Sequence, residues 1–196
     1  MKRNITIIGV LTGLLLLLST TAQAQVLPKF GVKAGLNYST FNNADGAEYK
    51  AGFLGGVYAK INIPGSPAAI QPEILYAQYG ANAEGTDGKL SVDYVQVPVL
   101  AKFGFGAPGV NIKPEVFFGP YAGFNVNSKL EDSGIGVDAD EFFKNTDFGV
   151  VVGAGVQVSK LNFELRYTAG LTDVFEDAYA DGEKNGAFAL AIGINF

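Results

Sequence analysis

From Phe30 to Phe196 the chain alternates apolar with polar or small residues at period two, in eight separate runs, and the 3.6-residue period of a helix is nowhere competitive. In the first run Phe30, Val32, Ala34, Leu36 and Tyr38 share one face, and Gly31, Lys33, Gly35, Asn37 and Ser39 the other. The second sets Phe53, Val57, Ala59, Ile61 and Ile63 against Gly56, Tyr58, Lys60 and Asn62. The third sets Ile70, Ile74 and Tyr76 against Gln71, Glu73 and Leu75, and the fourth Val95 to Phe103 against Gln96 and Lys102. Runs at 113–127, 147–158, 161–172 and 188–196 complete the series. Strands with two chemically distinct faces separate two environments. The expected fold is all-β, an eight-stranded antiparallel up-and-down transmembrane β-barrel.

Alternation alone does not say which face meets solvent, and a secreted sandwich or lipocalin-like barrel would turn its apolar face inward. Three features favour a membrane barrel. Aromatics cluster at two levels of the apolar face: Phe30, Phe103, Phe163 and Phe196 toward one rim, Tyr38, Phe53, Phe148 and Phe188 toward the other. Two such levels fit the girdles at membrane interfaces. Segments 40–49, 82–89, 128–146 and 173–186 are mostly long and acidic, whereas 64–69, 104–111 and Ser159-Lys160 are shorter and nearly uncharged. Long loops on one side, short turns on the other and an even strand number give the outer-membrane arrangement, with both termini periplasmic.

The third feature is the polar face itself, which mixes Lys60, Glu73, Lys102, Glu115, Glu164 and Arg166 with many glycines. An unpaired basic side chain toward hydrocarbon costs roughly 2–4 kcal/mol at mid-depth. These six are therefore expected inside, paired across a lumen that eight strands make just wide enough for side chains to fill. Four prolines count against regular strands, because each removes a ladder donor. Pro72 and Pro114 fall near strand starts, and Pro98 and Pro120 are expected at bulges.

The N-terminus carries Lys2 and Arg3, an apolar run from Ile5 to Leu18, and Ala22-Gln23-Ala24. This order reads as a signal peptide over 1–24, too short for a spanning helix, leaving 25–196 as one barrel domain. The chain has no cysteine, so no disulfide supports the fold. Discounting Lys2 and Arg3 moves the formal net charge from −5 to −7, which repels phosphate backbones and removes electrostatic support for nucleic-acid binding.

Histidine is absent as well. Acid–base and nucleophilic mechanisms commonly use it, and zinc sites draw on histidine and cysteine, so no catalytic residue, metal ligand or cofactor is expected. Glu73, Glu115 and Glu164 read as structural partners of Lys60, Lys102 and Arg166. Gly104-Phe105-Gly106-Ala107-Pro108-Gly109 has dinucleotide-motif spacing, yet Val110 to Pro114 starts a strand where a helix is required, so the segment reads as a turn. Asp138-Ala139-Asp140-Glu141 and Asp181-Gly182-Glu183 miss the EF-hand pattern and read as solvated loop charge.

Gln71-Pro72-Glu73-Ile74-Leu75-Tyr76, Tyr94-Val95-Gln96-Val97-Pro98-Val99-Leu100, Phe118-Gly119-Pro120-Tyr121 and Arg166 to Asp173 together resemble the outer-membrane β-barrel proteins of Bacteroidetes, porin-family or PorT-like. The resemblance implies an eight-stranded barrel in the bacterial outer membrane, with the prolines part of the pattern, and no settled activity. It also implies that Phe196 is the terminal aromatic read by the assembly machinery. The expected role is a non-enzymatic, monomeric barrel with a filled lumen, embedded in outer-membrane lipid and lipopolysaccharide. Its acidic loops would face cations or an extracellular partner. The alternatives are an accessory subunit of a secretion or transport assembly, and a narrow small-solute channel.

Overall fold

The computed structural model describes residues 27–42, 47–83, 89–106, 111–132, 135–138, 146–173 and 184–196. The expected signal peptide at 1–24 lies outside them. The strands are β1 (Lys29–Asn42), β2 (Ala47–Asn62), β3 (Ala68–Ala83), β4 (Lys89–Gly104), β5 (Ile112–Asp132), β6 (Ile135–Asp138), β7 (Thr146–Val158), β8 (Leu161–Asp173) and β9 (Lys184–Asn195). Eight of them form a closed antiparallel up-and-down barrel: each pairs with the next around the wall, β5 passes to β7, and β9 returns to β1. Closure leaves no edge in the wall, as a bilayer demands of a strand-built span.

β6 is additional. It pairs only with the end of β5, from Lys129↔Asp138 to Asp132↔Ile135, so part of the segment expected as a loop at 128–146 is a hairpin extension. Strand ends likewise reach into 40–49, 82–89 and 173–186. Alternation fades there because the residues stand above the zone in which one face must be apolar.

The prolines behave differently from the expectation. Neither Pro98 nor Pro120 marks a bulge; register shifts occur instead at Tyr49/Leu54, Asp93/Tyr94 and Ala169/Asp173. Beside Pro72, Pro98 and Pro120 the pairing lapses for two residues and resumes unshifted. Tyr58↔Glu73 is followed by Ile61↔Ile70, Pro72↔Val99 by Leu75↔Gln96, and Pro98↔Tyr121 by Ala101↔Phe118. A proline ring fits extended backbone, so losing one donor interrupts the ladder without an inserted residue.

The apolar face points outward. Leu36, Phe118, Leu165, Leu190 and Ile192 are exposed, while Lys33, Glu73, Lys102, Glu164 and Arg166 of the alternate positions are buried. The soluble alternative, with its apolar face inside, is excluded by this sidedness. Both aromatic levels lie on the outer wall, and Tyr38 stands directly across from Phe188 in the β1–β9 pairing.

Inside, glycine makes room for rings. Gly31, Gly149 and Gly153 stand directly across from Tyr58, Tyr121 and Phe117. A Cβ on Gly153 would lie 2.4 Å from the Phe117 ring and 2.5 Å from the Leu165 carbonyl oxygen, and one on Gly149 would lie 2.6 Å from the Tyr121 ring. Each ring lies over the neighbouring backbone, which only a residue without a side chain permits. Gly153→Ala is expected to destabilise the barrel by about 1–3 kcal/mol through overpacking. The check is the midpoint of urea unfolding in lipid vesicles; an unchanged midpoint would refute the ring-on-glycine account.

Candidate functional site

The period-two pattern delivers charges from six strands into one lumen. Lys33 comes from β1, Lys60 from β2, Glu73 from β3, Lys102 from β4, Glu115 from β5, and Glu164 with Arg166 from β8. All seven are buried. Arg166 donates through both terminal nitrogens to Glu73 Oε2, each at 3.0 Å. Lys33 Nζ then joins Glu73 at 2.7 Å to Glu164 at 2.6 Å. Lys102 continues the chain from Glu164, at 2.6 Å, to Glu115, at 3.4 Å. Lys60 ends it by donating to Glu115 and, at 3.1 Å, to Gln157 Oε1.

Every one of the three carboxylates is shared by two cations, and Glu73 also accepts from Gln71 Nε2 at 2.7 Å. Shared, charge-assisted hydrogen bonds are what make burial of so many ions tolerable. Aromatic faces add to it: Lys33 Nζ lies 5.2 Å from the Tyr58 ring centre and Lys102 Nζ 4.9 Å from that of Phe117. Tyr58 is fixed in turn, donating to Asn195 Oδ1 at 2.8 Å and accepting from Asn162 Nδ2 at 3.1 Å.

The six residues expected in the lumen, Lys60, Glu73, Lys102, Glu115, Glu164 and Arg166, are brought into this one network. Lys33 is the member that sequence reasoning placed on the polar face without counting it among the paired charges. Its alternation with Gly31 and Gly35 was the available signal. Phe196, the seventh singled-out residue, is exposed at the end of the chain, and its N–H donates to the Phe30 carbonyl at 2.9 Å, tying the C-terminus to the start of β1.

Toward the end of the barrel away from the termini, the filling changes character. Leu54, Leu75, Ala77, Tyr79, Val92 and Tyr94 belong to a buried apolar cluster, while a second, Leu100, Phe117, Tyr121 and Val151, starts at the level of the ion pairs, where Phe117 stands directly across from Lys102. Two carboxylates sit on this side. Asp147 accepts from the Tyr121 and Thr172 hydroxyls at 2.8 Å each, and Asp93 from Asn127 Nδ2 at 3.0 Å. The acidic connections lie largely outside the described residues: both candidate Ca²⁺ clusters do, apart from Asp138 at the end of β6. Among the described residues no group of three or more carboxylates is placed to hold a metal.

A closed antiparallel barrel with an apolar outer wall and charges held inside defines a β-barrel of the bacterial outer membrane. No helix among the described residues is long and apolar enough to cross a membrane; the crossing is made by strands. The chain belongs to the family described as outer membrane protein beta-barrel domain, matched over residues 23–176.

Solved structures agree at the level of fold. The chain is similar to the Neisserial surface protein NspA at 18% identity and TM-score 0.53, covering 85% of this chain and 97% of that one. It is similar to a major outer membrane protein from Thermus thermophilus at 15% identity and TM-score 0.50, covering 87% and 100%. A fainter likeness, at 14% identity and TM-score 0.49, covers 85% of this chain and 99% of the outer membrane enzyme PagL. No curated protein matches the chain in sequence. Likeness at these identities shows the fold alone and leaves function to the residues of this chain.

Proposed function

We propose that this chain is a non-enzymatic integral outer-membrane barrel, monomeric, with a side-chain-filled lumen and an acidic outer surface. Exported through its N-terminal signal peptide, it stands with termini and short turns toward the periplasm. The observation that carries the reading is the lumen: the ion-pair chain occupies one half and the Leu54, Leu75, Tyr79 and Tyr94 cluster stands across the other. A path for solutes would have to break several charge-assisted bonds and part a close-packed apolar layer.

Two further observations support a role without chemistry. The chain has no histidine or cysteine, and each lumen glutamate is held by two cations, which opposes its use as a general base. Of 19 carboxylates, only Glu73, Asp93, Glu115, Asp147 and Glu164 lie outside the connecting segments 40–49, 82–89, 128–146 and 173–186. The outer side thus offers a surface for cations, for divalent ions bound to lipopolysaccharide, or for an extracellular or secretion-complex partner. The narrower affiliation with Bacteroidetes porin-family or PorT-like barrels rests on the proline-containing motifs, whose Pro72, Pro98 and Pro120 fall on adjacent strands β3, β4 and β5. Phe196 is proposed as the residue read by the assembly machinery.

Planar-bilayer recording tests the closed lumen. The expected result is no steady unit conductance above the membrane baseline; a stable, large unit conductance would overturn it.

A further inference from the structure

The end of the lumen nearest the termini is unlike the rest, because its positive charges are not balanced. Four cations, Lys33, Lys60, Lys102 and Arg166, share three carboxylates in the buried chain. The excess lies at the mouth, where an open cavity of about 280 Å³ is lined by Lys29, Lys60, Lys102 and Lys113 against the single carboxylate of Glu115. Lys29 and Lys60 stand directly opposite one another across β1 and β2. Lys60 is held by Glu115, which leaves Lys29 beside it with no carboxylate of its own in the lining of the mouth.

We propose that this mouth is a binding site for a small phosphate-bearing anion on the periplasmic side. Lysine ammoniums are compact point charges that serve phosphate oxygens without a planar match. Lys60 and Lys102 form the buried floor, each already holding Glu115, while Lys29 and Lys113 are exposed at the rim. The Lys113 side chain is laid along the mouth by Gly106, where a Cβ would meet its Cγ at 2.6 Å. The lining also supplies neutral donors: Asn62, and Ser66, whose oxygen accepts from the Ala68 N–H at 3.1 Å and whose hydroxyl is left to donate. The opposite half of the lumen buries the carboxylates Asp93 and Asp147, with Lys50 part-buried against Ser91, so the fully buried charge there is negative whereas that lining this mouth is mostly positive.

The phosphate could belong to a soluble molecule or to a phospholipid headgroup of the inner leaflet. The test uses the full chain in a zwitterionic detergent, titrated calorimetrically with inorganic pyrophosphate at constant ionic strength. Saturable one-site binding is expected, weakened at least tenfold in the Lys29→Gln/Lys113→Gln variant, whose two changes lie on exposed positions and leave the buried network whole. Absence of saturable binding would overturn the site, and so would a variant that binds as the native chain does. Native mass spectrometry from phosphatidylglycerol-containing nanodiscs then separates the sources. One phospholipid retained by the native chain and lost from the variant assigns the headgroup; pyrophosphate binding with no such retention assigns a soluble phosphate.

Discussion

Replacing Glu73 with Gln is expected to lower barrel stability by about 3–5 kcal/mol, the cost of stranding buried charge whose partner has been removed. Glu73 accepts from Arg166 through two nitrogens at 3.0 Å and from Lys33 at 2.7 Å, and its side chain is fully buried. The amide keeps the shape and removes the charge, leaving a guanidinium that cannot shed its proton. Urea unfolding in vesicles, followed by tyrosine fluorescence because the chain has no tryptophan, reads the effect as a shifted midpoint. A Glu73→Leu/Arg166→Leu double variant is expected to recover much of the loss, since replacing both partners leaves no orphaned ion. A Glu73→Gln midpoint equal to that of the native chain would show that the network carries no stability.

The outer wall supplies the second large effect. Leu36, Leu190 and Leu165 form one row across β1, β9 and β8, and Leu190 is 66% exposed near the middle of its strand. In water such a row would be a liability; in hydrocarbon it is the contact surface. Leu190→Arg is expected to cost about 2–4 kcal/mol in bilayers, falling toward zero for the same change near a rim. The comparison with Leu27→Arg, at an exposed position just before β1, provides that control. Equal effects at the two sites would contradict burial of the wall in lipid. The mature chain without detergent is correspondingly expected to aggregate, because its exposed apolar band exceeds what a soluble monomer carries.

Much of this was legible from residue order. The eight wall strands follow from alternation, and the inward set including Lys60, Lys102, Glu164 and Arg166 follows from the same parity, because facing is a local property with period two. The strand ends were less legible, since above the apolar zone neither face is constrained and the four-residue alternation of β6, Ile135-Gly136-Val137-Asp138, is too short to stand out. The prolines misled for a related reason. A missing donor is visible in sequence, but whether the ladder answers with an extra residue or with a gap depends on the neighbouring strand.

Which charge meets which was not readable. Lys33 bonds to Glu73, 40 residues away, and to Glu164, 131 residues away, and Tyr58 reaches Asn195 across 137. Those contacts depend on the stagger of the closed sheet, which sets the height at which each inward position enters the lumen. The aromatic cover on Gly31, Gly149 and Gly153 and the unbalanced cluster at the mouth have the same origin. By itself the amino-acid order determined a two-faced sheet with its charges on one side. Only closure, by bringing distant strands to a common height, decided how those charges pair and where one is left over.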